Sequence, residues 1–141
     1  MSFYGVMPMV EVLKKKLDAA FDDAVARVQE AVSDEFSVLM VKSIDEVIKT
    51  NLELPDYPLK YTVILACGPE LAKMALDLSL ETGTLMPCSF VVYQKDDEVF
   101  AAHTSIMKTA VEVGMVPENE MQELMEKTGE KVHKVWEKLE D

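Results

Sequence analysis

The sequence predicts a protein of mixed α and β structure, because its hydrophobic pattern changes repeatedly between a helical and an extended period. One helical stripe in the segment 20–33 holds Phe21, Val25, Val28 and Val32. The segment 36–44, FSVLMVKSI, has instead the apolar and β-branched composition of a strand. These alternating patterns indicate a sheet packed against helices.

The first patterned segment, residues 10–17, is ambiguous. Its residues VEVLKKKL place Val10 and Val12 on one side of a strand and Leu13 and Leu17 on the other. The same residues also fit the opening of a long helix, and periodicity does not decide between the two.

A second strand and helix follow. The segment 60–66, KYTVILA, is apolar almost throughout, which is typical of a strand inside a sheet. Pro69 suits the first turn of a helix, and Gly83 is suited to end it. The pattern therefore predicts a helix over about 69–81.

The last part of the chain predicts a hairpin and two helices. Strands at 88–94 and 99–103 are separated by a short polar turn. A helix capped by Thr104 or Ser105 follows, and a final helix is expected over about 117–139. We expect all of these elements to form one domain spanning residues 1–141.

The hairpin brings a cysteine and a histidine to one side of the sheet. If Asp96 and Asp97 are its two central turn residues, Phe90 lies opposite His103. Cys88, Phe90 and His103 then project from the same face. A thiol beside an imidazole is the smallest unit of an activated nucleophile, so Cys88 and His103 are candidate site residues. The alternative is that the two residues have only a packing role.

Composition excludes several kinds of partner. The net charge of −12 repels nucleic acid and anionic membrane surfaces, and no basic patch with aromatic residues is present. No apolar run approaches the roughly 20 residues of a spanning helix, and the first residues lack the basic start of a signal peptide. The sequence therefore predicts a cytoplasmic protein that binds neither nucleic acid nor membrane.

The two cysteines, Cys67 and Cys88, do not form a metal-binding or disulfide pattern. A structural zinc site would need both cysteines and both histidines to converge, so we predict no metal and no cofactor. If the intervening helix is a crossover, the two strands run parallel and the cysteines lie at opposite edges of the sheet, out of disulfide reach. Only an antiparallel arrangement of these strands would bring the two cysteines together. Free thiols are expected.

Two short sequence motifs resemble those of a known family. They are Cys67-Gly68-Pro69 and the run 85–93, LMPCSFVVY. Together with the segment 17–39 they are similar to the domain of unknown function 302 family, whose motifs read CNP and LLPCNVVVYE. The resemblance covers about residues 10–113 and leaves the final helix as an addition. Gly68 and Ser89 replace two asparagines of the family, which weakens any role for those amide groups.

The resemblance implies an α+β fold similar to half of a TATA-binding-protein fold. An antiparallel-rich curved sheet would carry helices on one face, with residues 10–17 as a strand. It also implies a homodimer, but no activity.

Two functions remain open after this comparison. The protein is either a non-catalytic dimeric module that binds a small molecule or a protein partner, or a thiol-dependent protein. The second would use Cys67 or Cys88 in redox chemistry, sulfur transfer or soft-metal binding.

Overall fold

The computed structural model describes residues 12–140, which form five strands and five α-helices. The strands are β1 (Val12–Leu17), β2 (Ser37–Ser43), β3 (Lys60–Cys67), β4 (Cys88–Lys95) and β5 (Glu98–Thr104). The helices are α1 (Phe21–Ser33), α2 (Ile44–Asn51), α3 (Pro69–Leu78), α4 (Ile106–Glu112) and α5 (Glu118–Lys138). A short 3₁₀ helix over Leu80–Leu85 follows α3.

The five strands form one open sheet in the order β1-β5-β4-β3-β2, and every neighbouring pair is antiparallel. The central strand is β4, and β1 and β2 are the edges. The predicted α+β fold, with an antiparallel-rich sheet and a C-terminal helix, is therefore confirmed.

A tight turn joins β4 to β5. Asp96 and Asp97 both have positive φ, at 50° and 66°, which is the backbone geometry of a type I′ hairpin turn. Aspartate tolerates this left-handed region better than most residues. Phe90 pairs with His103, so the predicted register is confirmed.

One face of the sheet forms the hydrophobic core. Alternate residues of two of the three inner strands, Ile64 and Ala66 of β3 and Phe90 and Val92 of β4, are buried there. Helix α1 packs on β3, β4 and β5, and α5 packs in turn on α1, α3 and α4. The apolar stripes of these helices complete the core with Ala24, Val28, Val32, Leu71, Ala75, Met121, Leu124 and Val135.

The start of α2 is fastened to the start of β3 by a buried carboxylate. An Asp45 oxygen accepts hydrogen bonds from the Ser43 hydroxyl at 2.8 Å and from the Tyr61 N–H at 2.9 Å. Burial alone would raise the pKa of Asp45, but these hydrogen bonds and the charge of Lys49 at 3.6 Å outweigh it and lower the pKa. Asp45 therefore has a structural role.

The observed bounds of three elements refine or correct the predicted ones. Helix α3 ends at Leu78 because Ser79 is extended, and Gly83 lies within the 3₁₀ helix instead of ending α3. Residues Val12–Leu17 form a strand, which decides the ambiguity of this segment, although Val10 lies outside the described residues. The final helix begins at Glu118 and runs without interruption through Gly129.

The opposite face of the sheet carries a row of aromatic rings from three neighbouring strands. Tyr61 stacks on Tyr93 with ring centroids 5.7 Å apart, and Tyr93 stacks on Phe100 at 5.5 Å. The Lys14 ammonium lies 4.4 Å from the Phe100 ring centroid, within cation–π range. All three rings are only half-buried, so this face still exposes apolar surface.

Candidate functional site

The two cysteines lie at neighbouring ends of adjacent strands. Strands β3 and β4 are antiparallel, with Ala66 opposite Cys88, so Cys67 at the end of β3 lies close to Cys88 at the start of β4. The expectation of parallel strands with the cysteines at opposite edges is wrong. The reason is that α3 and the 3₁₀ helix turn back to the same end of the sheet instead of crossing it. Both thiols are free.

Both cysteines line an apolar cavity of about 350 Å³ at this end of the sheet. Helix α3 forms one wall, and the start of α4 and one residue of α5 form another. Apart from the two thiols and the Thr128 hydroxyl, every lining side chain is a hydrocarbon, a thioether or a glycine. The lining residues are Phe36, Leu39, Ala66, Cys67, Gly68, Leu71, Ala72, Leu76, Met86, Pro87, Cys88, Ile106, Met107 and Thr128.

Gly68 allows the end of β3 to turn closely into α3. A Cβ atom at this position would lie 3.2 Å from Leu71 Cδ1 and 3.5 Å from Phe36 Cδ1, both in the cavity wall. Pro69 then occupies the first helical position, where the N–H that proline lacks would have no partner within the helix. Gly68 and Pro69 therefore determine how closely the start of α3 approaches the cavity wall.

The Cys88 thiol is in an environment that opposes ionisation. Burial raises its pKa to about 11, and the neighbouring Cys67 would add repulsion between two negative charges. At neutral pH the Cys88 sulfur is therefore protonated, which is the unreactive form of a cysteine.

His103 is buried, with 4% of its surface exposed, and stacks on Phe90 with ring centroids 4.2 Å apart. Its Nδ1 lies 2.9 Å from the Ser89 carbonyl oxygen. Because a carbonyl only accepts, Nδ1 must carry the proton in this contact, and Nε2 of the neutral ring is then an acceptor. Burial lowers the pKa of His103, which favours this neutral form.

Cys88 and His103 share one face of the hairpin, but they do not form a hydrogen-bonded pair. Among the residues of the described chain, Nδ1 of His103 bonds the Ser89 backbone and no hydrogen bond joins the ring to the thiol. The three candidate residues predicted from the sequence therefore lie at two different places in the fold. Cys67 and Cys88 lie together at the apolar cavity, whereas His103 faces α5.

Sequence reasoning missed Thr128, which lines the cavity from α5. The residue is 3% exposed and lies four positions from both Leu124 and Val132 on the buried stripe of its helix. A threonine at a position where the helical pattern requires an apolar residue is the signal that identifies it. The cavity itself had no such signal, because it depends on how α3 and α5 meet.

Between residues 12 and 140, no group of three or more His, Cys, Asp or Glu side chains is arranged to hold a metal ion. No helix in that same range is long and apolar enough to cross a membrane.

The fold and the cysteine cavity place the chain in a class of small α+β proteins with one open antiparallel sheet. The family model for "Domain of unknown function DUF302" matches residues 13–139, and the chain belongs to this family. The match includes α5, so the expectation that the family resemblance ends near residue 113 and that the final helix is an addition is wrong. No curated protein matches the chain.

A solved structure has the same fold. It is the crystal structure of an uncharacterized conserved protein DUF302 from Bacillus stearothermophilus, with a TM-score of 0.77 and 18% sequence identity. The similarity covers 92% of this chain and 98% of that chain, so it includes all the major elements. At this identity the similarity establishes the fold alone.

The buried neutral imidazole predicts an acid-sensitive contribution to stability. The folded-state pKa of His103 is below the usual 6.5, so the unfolded state binds a proton more readily. Stability should therefore be lost as the pH falls below about 6.5, until the ring is also protonated in the folded state. We expect the urea midpoint of His103→Phe, which keeps an aromatic ring beside Phe90, to fall less between about pH 7 and about pH 5.

Exposed His133 offers the matched control, since its side chain is 73% exposed. His133→Gln should retain the pH dependence that His103 contributes. Equal pH slopes for the wild-type protein and His103→Phe would contradict the role assigned to the buried ring.

Proposed function

We propose that this protein is a non-catalytic, homodimeric module that binds a small apolar molecule in the cysteine-lined cavity. The observation that carries the proposal is the almost wholly apolar lining of a cavity of about 350 Å³. Ligand sites are concave and mostly apolar and begin at about 300 Å³. Free thiols and the net charge of −12 favour a cytoplasmic protein that does not bind nucleic acid.

The cavity size indicates the size of the ligand. A cavity of roughly 150 Å³ is sufficient to bind benzene, and this one is a little more than twice as large. Two fused rings or a medium-length hydrocarbon chain therefore fit. A charged group does not fit the interior, because the walls offer only thiols and one hydroxyl as polar partners.

A binding role is favoured over catalysis by the state of the candidate nucleophile. The Cys88 thiol, with its pKa raised to about 11 by burial, is protonated at neutral pH. The nearest histidine of the hairpin uses its Nδ1 proton for the Ser89 carbonyl. Neither residue is arranged to activate the other.

The proposed dimer is supported by the half-exposed aromatic face of the sheet. Val63, Leu65 and Val91 lie beside the row formed by Tyr61, Tyr93 and Phe100, and all are only partly buried. A second copy packed on this face would remove apolar surface from water, at about 25 cal/mol per Å² buried.

A thiol-dependent function is the second candidate, favoured by the proximity of Cys67 and Cys88 at one cavity. Two neighbouring thiols are able to exchange with a disulfide or to bind a soft metal ion. The raised pKa of Cys88 opposes this chemistry at neutral pH, so we place it second.

Occupation of the cavity is tested with 1-aminonaphthalene, a probe of two fused rings that is uncharged at neutral pH and whose emission shifts to shorter wavelength in apolar surroundings. We expect saturable binding to the wild-type protein. Ala72→Phe, which places a ring in the cavity, should weaken binding at least about tenfold. Ala26→Phe, the same change on the exposed side of α1, is the control and should bind like the wild type. Equal binding by both variants would overturn the assignment of this cavity as the ligand site.

The dimer is tested by light scattering at micromolar concentration, where we expect about twice the chain mass of 15.8 kDa. Val91→Glu should reduce the mass to that of one chain, because a carboxylate on the buried interface is costly. Val113→Glu changes a valine that is 60% exposed and lies outside the sheet, so it should leave the dimer intact. A single-chain mass for the wild type contradicts the proposal.

Thiol reactivity separates the two candidate functions. We expect both cysteines of the native protein to react slowly with a maleimide at about pH 7, and quickly after denaturation in urea. The expected reason is burial, together with the raised pKa of Cys88. Cys67→Ser and Cys88→Ser identify which thiol is labelled. Complete labelling of native Cys88 within seconds would favour the thiol-dependent function.

A further inference from the structure

A second cavity, of about 310 Å³, lies between the end of β5 and helix α5. It has a different character from the cysteine cavity, because its lining combines apolar side chains with several polar ones. Met125, Val132 and Trp136 of α5 supply apolar surface, and the exposed Lys108 of α4 lies at the rim. His103 and Thr128 belong to the same lining.

The two buried residues of this lining each present a polar atom without a partner. His103 Nε2 and Thr128 Oγ1 are shielded from solvent and make no hydrogen bond to any residue of the range 12–140. Leaving such an atom unpaired is unfavourable because it loses its bonds to water, so most buried polar groups in proteins are paired. Two unpaired atoms in the wall of one cavity are consistent with a ligand that pairs with both.

The hydrogen-bonding capacity of these atoms specifies the ligand. Nδ1 of His103 donates to Ser89, so Nε2 accepts and requires a donor. The Thr128 hydroxyl both donates and accepts. A ligand hydroxyl satisfies both residues at once, since it donates its proton to Nε2 and accepts the proton of Thr128. A carboxylate has only acceptor oxygens and would leave Nε2 unpaired.

We propose that this cavity binds a small neutral molecule with one hydroxyl group on an apolar ring, such as a phenol, with the hydroxyl between His103 Nε2 and Thr128 Oγ1. The ring would contact Trp136 and Met125, whose indole and thioether are favourable neighbours of an aromatic ring. Because both polar atoms are shielded from solvent, the partly buried Met125, whose side chain is flexible, would have to move to admit the ligand.

The experiment uses phenol as the probe and Trp136 as the reporter, since Trp136 is the single tryptophan of the sequence and lines the cavity. Titration of the full chain should give a saturable change in the Trp136 emission and in its indole N–H resonance. Anisole, which has nearly the same shape but no hydroxyl proton, should bind about tenfold more weakly, as expected for one lost hydrogen bond.

Two threonines provide a matched pair of variants. Thr128→Val removes the proposed donor with little change in volume and should weaken phenol binding about tenfold; anisole binding should fall as well, because the ether oxygen also accepts from Thr128. Thr82→Val removes a hydroxyl that is equally buried and also unpaired, but Thr82 does not line this cavity. The Thr82 variant should bind phenol like the wild type. His103→Phe should remove the preference for phenol over anisole.

Three results would overturn the proposal. They are a linear, non-saturating quenching of Trp136 by phenol, equal affinities for phenol and anisole in the wild-type protein, or equal weakening by Thr128→Val and Thr82→Val. The comparison of phenol with anisole uses only the wild-type protein, so it tests the proposed hydroxyl contact even if a variant does not fold. Ala72→Phe in the other cavity should leave phenol binding unchanged, which separates this result from the test of the cysteine cavity.

Discussion

The register of the β4–β5 hairpin, with Phe90 opposite His103, is the constraint on which the rest of the structure depends. Because side chains alternate along a strand, a slip of one residue would move every side chain of β5 to the other face. The observed register buries Phe90 against Phe36 and holds His103 in a stack on Phe90. The positive φ angles of Asp96 and Asp97 set this register locally.

The antiparallel pairing of β3 with β4 determines where the two cysteines lie. It returns the chain to the end of the sheet where β3 finished, so that Cys67 and Cys88 become neighbours. The connecting helix α3 must then lie over this end, and α5 packs beside it. The apolar cavity lies in this region.

Thr128 lines both the cysteine cavity and the His103 cavity, so the two cavities are neighbours on either side of this residue. On the β5 side it lies with His103, and on the β3–β4 side it lies with the cysteines. The surroundings differ because the cavity on the β5 side contains the unpaired imidazole nitrogen of His103, whereas the cysteine cavity has no buried polar side chain in its lining besides Thr128. Thr128 is therefore shared between a cavity that also contains a buried imidazole and a cavity with an almost wholly apolar lining.

Local signals in the sequence were sufficient for four of the five strands, the hairpin and its register. The apolar run of β3, the strand-like composition of β4 and the paired aspartates of the turn depend only on neighbouring residues. The direction of β4 relative to β3 depends on long-range pairing, and so the residues alone did not decide whether the helix between them is a crossover. The sequence identified Cys67, Cys88 and His103 as candidates, but it did not separate His103 from the cysteines. Neither cavity was predictable, because each depends on the relative placement of helices.

An unpaired buried hydroxyl is not by itself a sign of function, and Thr82 shows why. Thr82 is fully buried and unpaired like Thr128, yet it lines neither cavity and lies in the 3₁₀ helix. What distinguishes Thr128 is convergence, since a second unpaired atom with a defined acceptor role belongs to the same cavity wall. The stacking of His103 on Phe90 and its bond to Ser89 fix which nitrogen is left as the acceptor. The packing that stabilises the hairpin thus also determines which chemical group the second cavity is able to bind.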